Sequence, residues 1–213
     1  MNHALTSAQT AAFHADGFLL IPDFFSAAEI DALGRVARAD EARLLSFPYT
    51  SRDSQGRATN LFVWDRLRDD AYSAYARHER IVQPWRQLLG GDVTYFHHKM
   101  MLKQPGTEGS WEWHQDYGYW YNNGCMAPQM LSAMVALNEH TEENGCLRVL
   151  KGSHALGRLT HALTGGQAGA DPERVEQTGE IAHQMIHAIG LDRMGRVRGA
   201  KAAIVRRDHP VTG

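Results

Sequence analysis

Polar and apolar positions change period near residue 92, which divides the chain into a helical part and a strand-rich part. Before it, residues 7–15 carry helical spacing that stops at Gly17, where the backbone can turn left-handed. Phe18-Leu19-Leu20-Ile21 is a short continuous apolar run, which predicts a buried strand ended by Pro22. Ser26-Ala27-Ala28-Glu29 has the spacing of a capping box, and Ile30, Leu33 and Val36 supply the apolar stripe of the helix it starts. Residues 43–60 are polar and turn-rich, and read as a loop over a pocket. Helical spacing resumes over residues 69–89, with a break predicted near Pro84.

After residue 92 the pattern is strand-like. Residues 93–102 read as one strand, Gln104-Pro105-Gly106-Thr107-Glu108-Gly109 as a turn, and the next stretch as a second strand carrying His114 and Asp116. A third strand is predicted over residues 131–137. Glu142-Glu143-Asn144-Gly145 then makes a hairpin-type turn into Cys146-Leu147-Arg148-Val149-Leu150. Helices followed by successive short strands predict an α+β domain on an antiparallel double sheet of jelly-roll type.

Composition narrows the functional classes. With 43% hydrophobic and 22% charged residues over 213 positions, the chain reads as one globular domain, not as a disordered segment or a coiled coil. A net charge of −2 gives no reason to expect nucleic acid or an anionic membrane as partner. No apolar run approaches the roughly 20 residues that span a bilayer. Cys125 and Cys146 lack CxxC spacing and no signal-peptide pattern precedes them, so reduced thiols in a cytoplasmic protein are expected.

Candidate chemistry concentrates in Trp111-Glu112-Trp113-His114-Gln115-Asp116-Tyr117. On a strand, residues i and i+2 share a face, so His114 and Asp116 could grip one metal ion. Two histidines and one carboxylate with open positions form the usual site of non-haem Fe(II) oxygenases. Taken by spacing alone, a His-x-Asp is more often a hydrogen-bonded surface pair. His14-Ala15-Asp16 repeats it in a helical segment, where the two side chains diverge by about 200°, and is read as incidental.

Four motifs in order carry a family resemblance: Gln104-Pro105-Gly106, Trp113-His114-Gln115-Asp116, Glu143-Asn144-Gly145-Cys146-Leu147 and Gly152-Ser153-His154. Over residues 5–176 the chain resembles the phytanoyl-CoA dioxygenase family of Fe(II)/2-oxoglutarate oxygenases, which includes the ectoine hydroxylases. Asp16-Gly17-Phe18-Leu19-Leu20 and Phe24-Phe25-Ser26 are similar to the family's N-terminus. The resemblance implies a double-stranded β-helix with N-terminal helices, Fe(II) held by His114 and Asp116, and 2-oxoglutarate as cosubstrate. Dioxygen and a small-molecule substrate are the implied partners, and hydroxylation the implied reaction; the Asp116 carboxylate argues against a halogenase. His98 is implied as a polar contact to 2-oxoglutarate, Trp111 as an aromatic wall and Ser132 as a further cosubstrate contact, each with ordinary packing as the alternative. Tyr117, Tyr119 and Trp120 either line a substrate pocket or pack. Ectoine hydroxylases carry Phe-Glu-Thr-Trp-His after the metal aspartate, whereas this chain has Tyr117-Gly118-Tyr119-Trp120-Tyr121, which points away from ectoine itself. His154 is expected to orient a loop and not to bind iron, and His161 to be a surface residue.

The resemblance ends near Gln177. The family's third ligand and its cosubstrate-binding arginine belong to a late strand, and nothing after Gln177 matches them. From Gly179 onward six basic residues (Arg193, Arg196, Arg198, Lys201, Arg206, Arg207) face three acidic ones (Glu180, Asp192, Asp208), against sixteen and twenty-one on the rest of the chain. A 1–177 oxygenase-like domain followed by an atypical basic tail, 178–213, is therefore expected, with the late strands missing or replaced, as a frameshift would produce. His183 and His187 could share a helical face, and Arg193, Arg196 or Arg198 could meet the cosubstrate; the alternative is a solvated tail. The functions to separate are an Fe(II)/2-oxoglutarate hydroxylase and a catalytically dead jelly-roll binding module or truncated product. A cupin-like metal enzyme, with His97-His98 as its candidate cluster, is a third.

Overall fold

The computed structural model describes residues 3–46, 49–103, 106, 109–141, 144–182, 185–187 and 200–206. Helix α1 (Ser7–Asp16) opens at Thr6, which closes a capping box with Gln9, and ends where Gly17 turns left-handed at φ 81°. Strand β1 (Phe18–Phe25) does not stop at Pro22. It bulges there, with Asp23 at φ 53° and the pairing register slipping between Ile21 and Phe25. At a bulge the ladder can do without the N–H that proline lacks. Helix α2 (Ala27–Ser46) starts with the expected box: Ser26 N–H donates to Glu29 Oε2 at 2.7 Å, and Glu29 N–H donates to Ser26 Oγ at 3.3 Å. Its buried face is Ile30, Leu33, Gly34, Ala37 and Leu44, while Val36 is exposed.

Residues 43–60 are not a loop. Helix α2 runs on to Ser46, and β2 (Tyr49–Arg52) pairs antiparallel with β3 (Ala58–Trp64). Helices α3 (Ala71–Ala76) and α4 (Glu79–Leu89) part at Arg77 and His78, and Pro84 is buried inside α4. His78 supplies the N-cap, its Nδ1 accepting from Arg80 N–H at 3.0 Å. Only the second half of the strand expected over residues 93–102 forms, as β4 (His98–Leu102), paired with β3.

The second half of the chain contains α5 (Asp116–Trp120), β5 (Leu131–Val135), β6 (Arg148–Leu150), β7 (His161–Thr164), β8 (Gln167–Ala170), α6 (Pro172–Ala182), β9 (Met185–His187) and β10 (Ala200–Arg206). Among the described residues, two three-stranded sheets, β1-β10-β5 and β2-β3-β4, accompany the pairs β6-β9 and β7-β8, all antiparallel. Within the expected 178–213 tail, residues 200–206 therefore form a paired strand. They lie between β1 and β5, aligning Ala203 with Leu20 and Val205 with Ser132. His187 lies on β9 and not on a helix. His183, Arg193, Arg196 and Arg198 fall outside the described residues, as do Gln104, Pro105, Glu142 and Glu143.

Among the described residues, three apolar clusters weld helices to sheets. Leu5, Phe13, Leu19 and Leu88 join α1, β1 and α4. Leu33, Ala37, Leu44, Trp64 and Tyr72 join α2, β3 and α3, and Phe25, Ile30 and Ile81 join β1, α2 and α4. Among the described residues no helix is long and apolar enough to cross a membrane.

Candidate metal centre

Residues 111–115 form no strand, and Asp116 is the first residue of α5. The i, i+2 rule of a pleated strand is therefore not what joins the pair. The chain turns into a helix between them and brings His114 Nε2 to 3.2 Å from Asp116 Oδ1. Asp116 is buried, with 3% of its side chain exposed, whereas His114 keeps 29%, so the pair opens to solvent on the imidazole side.

Both donors are fixed from behind. His114 Nδ1–H donates to the Glu112 carbonyl at 2.6 Å, and because a carbonyl can only accept, Nε2 is the nitrogen left facing the carboxylate. Tyr119, one helical turn beyond Asp116, donates its hydroxyl proton to the same Oδ1. Burial pushes the Tyr119 pKa up, which keeps the phenol protonated as a donor.

The pair fits a metal. Ligand atoms about 2.1 Å from an ion and at right angles to one another lie about 3.0 Å apart, and the observed 3.2 Å is close to that. An imidazole whose far nitrogen is bonded to a carbonyl, beside a carboxylate held by a hydroxyl, is also the outer-shell pattern of metal ligands. Among the described residues no group of three or more His, Cys, Asp or Glu side chains is placed to hold an ion.

A buried polar network holds the segment that leads into the pair. Asp53, 1% exposed, accepts from the N–H groups of Gln55, Arg57 and Ser110 at 3.0, 2.8 and 3.2 Å, and pairs with the Arg57 guanidinium at 2.8 Å. Burial pushes its carboxyl up, but those bonds outweigh it and hold the pKa down at about 2. Gln167 Oε1 accepts from Glu112 N–H at 2.8 Å, and Gln167 Nε2 donates to Ser110 O at 3.0 Å and Thr59 Oγ1 at 3.3 Å. Ser54 N–H donates to Glu112 Oε1 at 2.7 Å. Hairpins β2-β3 and β7-β8 thus grip residues 110–112 from two sides.

A model of the phytanoyl-CoA dioxygenase (PhyH) family matches residues 13–188. The chain belongs to that family. The ectoine dioxygenase of Halomonas elongata is 31% identical over 158 residues, covering 71% of this chain and 47% of that protein. That of Sphingopyxis alaskensis is 31% identical over 155 residues, 70% and 50% respectively. An L-proline trans-4-hydroxylase of Streptomyces griseoviridis is 34% identical over 90 residues, 42% of this chain and 34% of that protein. The chain spans about half the length of the ectoine dioxygenases it matches. Its fold is that of S. alaskensis EctD, solved with 2-oxoglutarate and 5-hydroxyectoine: the TM-score is 0.76 at 22% identity, over 98% of this chain and 70% of that one. EctD with bound Fe gives 0.74 at 21% identity over the same shares.

In this phytanoyl-CoA dioxygenase family member the other candidate residues sit as follows. His98, on β4, stacks on Trp64 with ring centroids 4.7 Å apart. Tyr95 donates its one hydroxyl proton to Trp64 O, so its oxygen accepts from His98 Nδ1–H at 2.8 Å. His98 Nε2 is then an acceptor, buried and without a hydrogen-bond partner among the described residues. Burial also lowers the ring's pKa, which favours the neutral imidazole. Trp111 lies half-buried on the segment before His114, and Ser132 half-buried on β5. Tyr117 and Trp120 are buried, Trp120 against Phe96 and His97 at 5.2 and 4.9 Å.

His154 does orient a loop. It is buried against Gly17, and Nε2–H donates to His14 O at 3.0 Å, while Gly152 N–H donates to Asp16 O at 2.9 Å. Asp16 pairs with Lys151 at 3.0 Å, so the incidental His-x-Asp copy is a helix end tied to this turn. His161 is a correction. It is half-buried, its pKa is lowered chiefly by burial, and its Nε2 accepts from Gln115 N–H at 2.9 Å. Tyr119, Gln167 and His161 are the supporting residues that sequence reading missed. One signal was available: Gly118 in the middle of an aromatic run marks a place where something else comes close.

Proposed function

We propose that the chain is a non-haem Fe(II)- and 2-oxoglutarate-dependent dioxygenase that hydroxylates a small molecule, with His114 and Asp116 as two of the iron's protein ligands. The observation that carries this reading is the 3.2 Å separation of Nε2 and Oδ1, each donor braced by a second hydrogen bond. When bound, the iron couples oxidative decarboxylation of 2-oxoglutarate to hydroxylation of a C–H bond by dioxygen. The chain's own residues do the rest. The Glu112 carbonyl keeps the His114 proton on Nδ1 and so presents Nε2 to the ion. Tyr119 stops the Asp116 carboxylate from rotating away.

A small polar substrate is supported by the names of the relatives, an ectoine dioxygenase and a proline hydroxylase. His98, Trp111 and Ser132 are proposed to border the cosubstrate, which the order of motifs around them supports. A cytoplasmic setting is proposed with it, for a chain that carries only two cysteines in 213 residues, without CxxC spacing.

Anaerobic titration with Fe(II) and then 2-oxoglutarate tests the reading. The folded native chain is expected to develop the weak visible charge-transfer band of the chelate and, once oxygen is admitted, to form succinate. Asp116→Ala is expected to do neither. A folded native chain with no band and no succinate refutes the proposal and leaves the jelly-roll as a binding module.

A further inference from the structure

We infer that residues 157–161 form a strap that positions the metal pair, with His161 as its positioning residue; the inference rests on the metal reading of His114 and Asp116. Gln115 joins the two ligands, and each of its polar atoms is engaged. Its N–H donates to His161 Nε2 at 2.9 Å, its Nε2 donates to Gly157 O at 2.8 Å, and its Oε1 accepts from Leu159 N–H at 2.7 Å. Its carbonyl accepts from Gly118 N–H at 3.1 Å, inside the turn itself. Three of the four bonds therefore run to the strap.

The imidazole is locked at both ends. His161 Nδ1–H donates to Leu159 O at 2.9 Å, which leaves a lone pair on Nε2 for the Gln115 amide. The ring reaches that amide because position 118 is glycine: a Cβ there would fall inside the His161 ring. Tyr119, which holds Asp116, meets the same ring edge-on, with centroids 5.9 Å apart. Arg158 lies over the Tyr121 ring at 4.5 Å and docks the strap on the far end of α5. Moving His161 thus moves the peptide between the ligands and loosens the phenol that braces one of them.

Two readouts test this, one without metal: hydrogen exchange of the Gln115 amide, and Co(II) binding followed by its visible spectrum. His161→Ala is expected to speed Gln115 exchange and to weaken Co(II) binding about 10- to 100-fold, as loss of a ligand's outer partner does. His161→Gln, which can still accept from Gln115 and donate to Leu159, is expected to restore most of both. Gly118→Ala should reproduce His161→Ala by displacing the ring, and Leu163→Ser, 83% exposed on the same hairpin, should change neither. Unaltered exchange and affinity in His161→Ala, or a loss that His161→Gln does not recover, overturns the strap. A native chain that binds no Co(II) overturns the metal reading and the inference together, whereas binding indifferent to His161 overturns the inference alone.

Discussion

The Tyr119 hydroxyl donates to the same Asp116 oxygen that faces His114, so removing it frees the carboxylate to rotate. A hydrogen bond to a charged group contributes about 1.5–3 kcal/mol. Tyr119→Phe should therefore weaken Fe(II) binding by roughly ten- to a hundredfold and lower the melting temperature of the metal-free chain by roughly 3–10 °C, which metal titration and thermal unfolding of the same sample check. At this scale the meeting of His114 and Asp116 was legible, because their spacing stands among motifs in a fixed order, although a helix start and not a pleated strand brings them to 3.2 Å. Their braces were not. Tyr119, Gln115 and His161 are ordinary residue types whose role exists only because a strap forty residues downstream folds back onto α5.

Elements decide how firmly the pair is presented. Gln167, 4% exposed on β8, holds Glu112 N–H, Ser110 O and Thr59 Oγ1 together. Gln167→Leu keeps the volume and strands these groups in a buried site, at a cost of about 2–3 kcal/mol. The melting temperature should fall by roughly 5–10 °C, and Fe(II) binding should weaken as residues 110–112 loosen. Scanning calorimetry with and without metal measures both, and an unchanged melting temperature would count against the network. Helix starts were readable from local chemistry, as Ser26 and Glu29 show. Hairpin β2-β3 was not, because in β2 only Ser51 is buried, and a strand with no apolar alternation looks like a loop. Pro84 misled for the converse reason: a buried contact inside α4 offsets the bond that proline removes.

Across the whole molecule, ionisable groups tie distant segments together and set its acid sensitivity. His98 and His140 are held below their ordinary pKa of 6.5, chiefly by burial. Bonds from Ser26, with Arg80 beside them, hold Glu29 at about 2, and Asp53 lies at about 2 as well. In each case the folded pKa is depressed, so the stability is present above the ordinary pKa and lost as pH falls. The urea midpoint should begin to fall below about pH 6.5 and fall more steeply between about 4.5 and 2; the steeper phase should shrink in Glu29→Gln/Asp53→Asn. Stability that rises on acidification would contradict this. The sequence by itself determined the family, the mix of helices and short strands, and the His114-x-Asp116 pair, because these rest on local periodicity and on motifs whose spacing is fixed along the chain. Only the tertiary structure decided that Asp116 begins a helix, that His161 faces inward, and that residues 200–206 lie between β1 and β5. Each depends on partners many residues away, and the free energy of burying a polar group or pairing a strand edge is set by what arrives beside it, which one-dimensional spacing does not contain.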